Sequence, residues 1–332
     1  MLLSEPVLKV CDLKTYYYSN ETATAAVDGI SFELEKGTVL GVVGESGCGK
    51  STVARSIVRL INENNTRIVS GSILFDGEDI LKMDKEELRE IRGKRISMIF
   101  QDPFVSLNPA YTIKNQIYEI LKIHEGIPKS DADKRVLELL RMVGIPHPEL
   151  RLNSYPFQLS GGMQQRVMIA IALACKPDIL LADEPTTALD VTVQAQILDL
   201  INSIRKEKGM SIILISHNMG IIAEMCDNML VMYGGVAVES GSCKQIFSNP
   251  MHPYTIGLLK AIPSVAVDTE ELYSIPGVVP SFKVPVVGCR FANRCPYSTD
   301  RCIQQEPPLF TEEKGHQVRC WMNESNKGKG NE

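Results

Sequence analysis

At 332 residues and 44% hydrophobic composition, the chain has enough apolar content for a sizeable core and a length that suits about two domains. Its charges sum to 35 − 40 = −5, and no stretch gathers five or more Lys and Arg, which argues against a nucleic-acid footprint. The N-terminus lacks a basic segment leading into an apolar one, and no apolar run nears the roughly 18 residues of a membrane span, so a cytosolic protein that meets a membrane only through a partner is expected.

Residues 7–10 and 30–34 read as strands, interrupted by Tyr16-Tyr17-Tyr18 and a polar loop. These rings are placed either to stack on an adenine face or to pack at a strand end. The apolar run Val39–Val43 has strand character, and Gly44-Glu45-Ser46-Gly47-Cys48-Gly49-Lys50-Ser51 then fits the pattern G-x-x-x-x-G-K-[ST] at every fixed position. From Thr52 to Leu60 apolar residues recur at helical spacing, so the match lies between strand and helix, as the motif requires. The three glycines let several backbone N–H groups face one phosphate, and the helix N-terminus adds its positive dipole. Lys50 would reach the β- and γ-phosphates, and the Ser51 hydroxyl would ligate Mg²⁺.

A strand over 71–77 ends in a turn, a helix is expected from Asp84 to Ile91, and the buried-strand run Ile96–Phe100 ends at Gln101. A neutral side chain there suits contact with Mg²⁺ or the attacking water. From Tyr111 to about Tyr155 the pattern is helical, which suggests a helical insert in an α/β core. Ser160 can cap the Ala-rich helix Val167–Ala174, and Gly161 and Gly162 leave room for a phosphate at its start. The strand Ile179–Ala182 carries Asp183 and Glu184 at its carboxyl end, where ligands of α/β sheets sit. Asp183 would hold Mg²⁺ through water and Glu184 would act as general base, or the two form a salt-bridged acidic pair. A helix over Val191–Lys206 and a strand over Ser211–Ser216 follow, the strand ending at His217.

In order and approximate spacing, the loop Gly44–Ser51, Gln101, Leu159-Ser160-Gly161-Gly162-Met163-Gln164, the strand Ile179–Glu184, the turn Ala188-Leu189-Asp190 and His217 resemble an ATP-binding-cassette ATPase. That resemblance implies an α/β P-loop NTPase cassette over residues 1–250, with a RecA-like parallel-sheet core, an antiparallel β subdomain and a helical subdomain at about 108–165. It assigns adenine stacking to Tyr17, with Tyr16 as the alternative, and nucleotide contacts to Gly44, Glu45, Ser46, Gly47, Cys48, Gly49, Lys50, Ser51, Thr52 and Gln101. Ser51, Gln101 and Asp183 would hold Mg²⁺. Lys50, Gln101, Glu184 and His217 would serve the chemistry, His217 as sensor of the γ-phosphate and Gln101 as the link to a membrane partner. Two such cassettes face head to tail, so Ser160, Gly161, Gly162, Gln164 and Asp190 would contact ATP held by a second ATPase subunit.

The tail, with His252-Pro253-Tyr254-Thr255, Ile275-Pro276-Gly277-Val278-Val279-Pro280 and Gly288-Cys289-Arg290-Phe291-Ala292-Asn293-Arg294-Cys295-Pro296, resembles that of dipeptide, oligopeptide and nickel importer ATPases. It implies the energy-coupling ATPase of a prokaryotic peptide importer, on the cytoplasmic face of the membrane. Its partners would be a paralogous ATPase (itself, in isolation), two integral-membrane permeases and, indirectly, an extracytoplasmic binding protein. Nickel or another solute is the alternative cargo. A soluble cassette protein fits less well, since one signature follows Lys50 by 110 residues with no heptad run between. Residues 251–332 would form a small extension. In it Cys289, Cys295, Cys302 and Cys320 stand at C-x₅-C-x₆-C-x₁₇-C, which matches neither zinc ribbons nor bacterial ferredoxins. Soft ligands in a proline-rich tail that needs a cross-link lead to the expectation of a [4Fe–4S] cluster, then structural Zn²⁺, then disulfides or free thiols.

Overall fold

The computed structural model describes residues 5–19, 22–186, 189–262, 273–280, 282–312 and 315–328, with the side chains of 325–328 excepted. Thr187 and Ala188, at the expected turn before Asp190, and Pro263, the expected end of a short helix begun at His252-Pro253, lie outside these residues. The chain forms two compact units, Met1–Leu81 with Ile215–Glu332, and Lys82–Leu214.

In the first unit an antiparallel sheet runs in the order Thr22–Leu34, Leu8–Ser19, Thr66–Phe75, Glu78–Asp79. The break expected at the tyrosines is absent. Leu8–Ser19 is a central strand, and Tyr16 and Tyr17 pair with Ala25 and Thr24 on one side and with Arg67 and Thr66 on the other, so the ladder continues through them. Val39–Val43 is buried at all five positions and pairs in parallel with Asn228–Tyr233, the pattern of a strand covered on both faces. Asn228–Tyr233 turns at Gly234-Gly235 into Val236–Ser242, and the short strands Gln317–Val318 and Phe310–Thr311 extend that edge. The helix Lys50–Ile57 packs on the antiparallel sheet through a buried 2.9 Å hydrogen bond between the Thr15 and Ser56 hydroxyls.

In the second unit Ile96–Ile99 and Ile179–Asp183 run parallel, Ile96 beside Ile179, and Ser211–Ile215 lies next to them. The helix at Lys85–Ile91 starts at a capping box in which Asp84 accepts from the backbone of Glu87 while Glu87 accepts from the backbone of Asp84. The helical stretch resolves into Ile113–Glu125, Ala132–Met142 and Pro148–Arg151; of the apolar residues expected on one face, Ile113, Ile117, Leu121, Val136, Leu140 and Val143 are buried and Ile120 and Leu137 are half-buried, while Leu139 is buried in addition. The next helix begins at Gly161 rather than Val167. Ser160 accepts from the Met163 N–H at 3.4 Å, and this cap outweighs the poor intrinsic preference of two glycines for helix.

A buried carboxylate organises the tail. Glu239, 0% exposed, accepts from the backbone N–H groups of Met251 and His252 at 2.8 and 2.9 Å, and its Oε1 lies 2.8 Å from Nε2 of His316. His252 is itself buried, and its Nδ1 accepts from the Tyr254 N–H at 3.0 Å, capping the helix Pro253–Lys260 as a neutral ring. Burial outweighs the attraction of Glu239 and lowers the His252 pKa to about 4. A lowered folded value means that the unfolded chain takes up this proton first. The associated stability is therefore intact above the ordinary histidine range near 6.5 and is lost as pH falls from there toward 4. We predict that His252→Asn, which keeps a capping side chain, removes up to about 1.4 kcal/mol per pH unit of the stability loss in that window. Denaturant unfolding at pH 7, 6 and 5 checks this, and equal slopes in both proteins would refute it.

Candidate nucleotide site

The phosphate loop follows from its strand. Val39–Val43 ends where Gly44 enters a positive φ of 150°, and Gly49 adopts 102° at the start of the helix. A Cβ at Gly44 would stand 2.2 Å from the Met232 carbonyl oxygen, and one at Gly49 2.1 Å from that of Ala26. Backbone crowding excludes any side chain at either position. Inside the loop Lys50 is buried, and its ammonium donates to the carbonyl oxygens of Gly44 at 2.7 Å and Glu45 at 3.0 Å. Cys48 is also buried, and burial raises its thiol pKa, so it fills space as a neutral side chain beside Lys50. Ser46 and Gly47 are exposed, and Ser51 stands half-buried on the first turn of the helix.

Two further expected residues share this unit. Tyr17 is 40% exposed, and its hydroxyl lies 2.8 Å from that of Thr52, which puts the ring beside the helix that follows the loop. Tyr16 instead donates to Asp28 at 2.8 Å, and burial together with that bond pushes its pKa up to about 12. Arg67 lies over the ring of Tyr18. His217 is exposed directly after Ser216, whose N–H donates to the Val42 carbonyl at 3.2 Å, so it is tied to the strand that delivers the loop.

The second unit holds the acidic pair. Asp183, 1% exposed, ends its strand, and Glu184 follows in a left-handed conformation, φ 47°, which a non-glycine residue adopts at a cost of about 1–3 kcal/mol. The Gln101 amide donates to the Glu184 carboxylate at 2.9 Å. Ser160 is exposed at its cap, with Gly161 and Gly162 on the first turn of the helix. Gln164 is buried, and its amide donates to the Leu159 carbonyl at 3.1 Å, so its side chain braces the loop before the helix. Gln165 donates to the Pro185 carbonyl at 2.5 Å, joining the signature helix to the residue after Glu184. Asp190 caps the helix Val191–Lys208, accepting from the Val193 N–H at 2.9 Å.

The expectation of a metal in the tail is corrected. Cys289, Cys295, Cys302 and Cys320 do line one cavity of about 240 Å³, with Phe291 and Trp321 among its walls. Among the described residues, however, no group of three or more His, Cys, Asp or Glu is placed to hold a metal ion. As placed, the four cysteine side chains therefore do not form the expected iron–sulfur or zinc site. Other contacts hold the tail. Strand pairing joins Gln317–Val318 to the sheet, the Arg301 guanidinium lies 3.5 Å over the Trp321 ring, and the Trp321 indole donates to the Gln305 carbonyl at 3.2 Å.

Sequence reasoning missed three residues that touch the loop region from beyond residue 250. Tyr254 Oη accepts from the Glu45 N–H at 2.8 Å, Arg294 forms a two-pronged ion pair with the Glu45 carboxylate, and Arg290 binds Asp28 and the Gly234 carbonyl. Their segments were legible only as a family marker, because nothing in local periodicity links them to a loop some two hundred residues earlier.

A glycine loop wound around a buried lysine, and a glutamine holding a strained glutamate behind a buried aspartate, are the features of P-loop ATPases built as ATP-binding cassettes. The ABC transporter family model matches residues 27–187, and the model for the oligopeptide/dipeptide transporter C-terminal region matches residues 238–302. The dipeptide transport ATP-binding protein DppD of Escherichia coli (strain K12) is 46% identical over 314 residues, 95% of this chain and 96% of that protein. The oligopeptide transport ATP-binding protein AppD of Bacillus subtilis (strain 168) is 45% identical over 318 residues, 96% of this chain and 97% of that protein. Among solved structures, the dimeric post-hydrolysis state of the cassette MJ0796 bound to ADP and Pi has a TM-score of 0.64 and 28% identity, covering 71% of this chain and 98% of its own. The chain belongs to the ABC-transporter ATP-binding proteins, in the group that carries the oligopeptide/dipeptide C-terminal region, and it is an ATPase.

Proposed function

We propose that this chain hydrolyses ATP to power uptake of di- or oligopeptides. The peptide reading is supported by the names of its relatives and by the C-terminal region it shares with them. The hydrolytic reading rests on one observation above the others, the 2.9 Å bond that aims the Glu184 carboxylate from a strained backbone. In this reading Glu184 polarises the attacking water, and the loop N–H groups with Lys50 hold the β- and γ-phosphates. Asp183, Ser51 and Gln101 are the residues suited to Mg²⁺, which would neutralise charge developing on the phosphates. His217 senses the γ-phosphate, and Tyr17, 40% exposed beside the helix that follows the loop, supplies the adenine platform, whereas Tyr16 is less exposed and Arg67 covers the Tyr18 ring.

A second subunit brings Ser160, Gly161, Gly162 and Asp190 against that ATP, with Gln164 acting through the loop it braces. The dimeric state of MJ0796 supports such an arrangement. Residues 1–250 are then the nucleotide-binding domain, with its helical subdomain at about 108–165, and 251–332 the extension. No helix among the described residues is long and apolar enough to cross a membrane. In the proposed reading the chain works with two permease subunits at the cytoplasmic surface, as the peptide-transport names of its relatives support. Phe104 and Val105, 61% and 83% exposed just after Gln101, offer them an apolar contact. We predict that the chain, reconstituted with a paralogous ATPase and two permeases of a peptide importer, shows ATP hydrolysis stimulated by peptide-loaded binding protein. Stimulation by nickel complexes instead of peptides would overturn the proposed cargo.

A further inference from the structure

We infer that Arg294 is a positioning residue of the phosphate loop and acts through Glu45. The Arg294 side chain is 5% exposed, and its two terminal nitrogens grip both oxygens of the Glu45 carboxylate, Nη1 at 2.7 Å and Nη2 at 3.0 Å. Its remaining donors reach the carbonyls of Pro276 at 2.8 Å and of Ile275 and Gly277 at 3.2 Å, with the Tyr233 hydroxyl at 3.4 Å. A planar fork held at this many points cannot swing, so it fixes whatever it grips. Glu45 is the second residue of the loop. Its N–H donates to the Tyr254 hydroxyl at 2.8 Å and its carbonyl accepts from Lys50 at 3.0 Å, so every polar group it carries is tied, and two of the three ties lead to residues beyond 250.

Two consequences follow for a phosphate ligand. First, the path of the backbone through Glu45, Ser46 and Gly47 is set before ATP arrives, which keeps the N–H groups aimed together and lowers the ordering cost of binding. Second, Arg294 balances a carboxylate that would otherwise repel the triphosphate. Arg290 acts on the same side, since it binds the Gly234 carbonyl at 2.5 Å while the adjoining Gly235 N–H donates to the Cys48 carbonyl at 3.0 Å. The tail thus reaches the loop directly at Glu45 and, through the Gly234-Gly235 turn, indirectly at Cys48.

The test uses the full chain and reads the KM for ATP, kcat and thermal midpoint separately. Arg294→Gln is expected to raise KM about tenfold, with kcat changed much less. Arg294→Lys, which restores charge without the fork, should fall between. Because Arg294 acts through Glu45, the double variant Glu45→Gln/Arg294→Gln should be no worse than Arg294→Gln alone. An unchanged KM in Arg294→Gln, or effects of the two single changes that multiply in the double variant, would overturn the inference. Should Arg294→Gln not fold, Glu45→Gln and Arg294→Lys carry the test, and a parental KM in both is the refuting result. Retained ATP binding in Lys50→Met would instead show that the loop is not the nucleotide site, a failure distinct from either.

Discussion

Glu184→Gln is expected to lower the turnover of ATP hydrolysis by on the order of 10²–10⁴-fold while ATP binding survives. The two side chains have the same shape, so the amide can still accept the hydrogen bond that Gln101 donates at 2.9 Å, and the buried strand ending at Asp183 is untouched. What disappears is the base. Glutamine cannot take a proton from the attacking water, yet everything that holds the nucleotide remains, so the ATP-bound dimer should also persist longer than in the parent. Phosphate release and size-exclusion chromatography with ATP measure the two effects. Hydrolysis at the parental rate would remove Glu184 from its assigned role.

Lys50→Met should weaken ATP binding about 100-fold, because two contributions vanish together. The ammonium would contact the phosphates directly. Within the protein it also donates to the carbonyl oxygens of Gly44 and Glu45, which keeps the loop curled around its own side chain. Methionine has similar length and apolar character, so the buried stem is replaced and the fold should hold. Titration with a fluorescent ATP analogue, alongside a thermal melt, separates lost affinity from lost structure. Unchanged affinity would show that the phosphates lie elsewhere.

Local chemistry explains why much of the architecture was legible in the sequence. Gly44 and Gly49 stand where positive φ and backbone crowding allow nothing larger, so their spacing is itself a statement of geometry. Ser160 announces a helix start because a cap works over three residues, and Ile113, Ile117 and Leu121 announce a buried face because a helix repeats over four. Errors arose where the deciding partner was distant. The tyrosines at 16–18 read as a break because propensity is local, whereas the strands on either side carry the ladder through them. The four cysteines read as a metal site because soft ligands crowd into a proline-rich tail, whereas the placement of their side chains forms no metal-binding group among the described residues.

By itself, then, the sequence determined the class of protein, since the phosphate loop, the signature helix cap and the buried acidic strand are each specified within about ten consecutive residues by turn, cap and strand rules. Only the tertiary structure decided which side chains meet. Gln101 and Glu184 are 83 residues apart, and Glu45 and Arg294 are 249 apart. Such bonds form after the chain has closed long loops, and no local preference along the sequence encodes which of many polar side chains will then lie within reach.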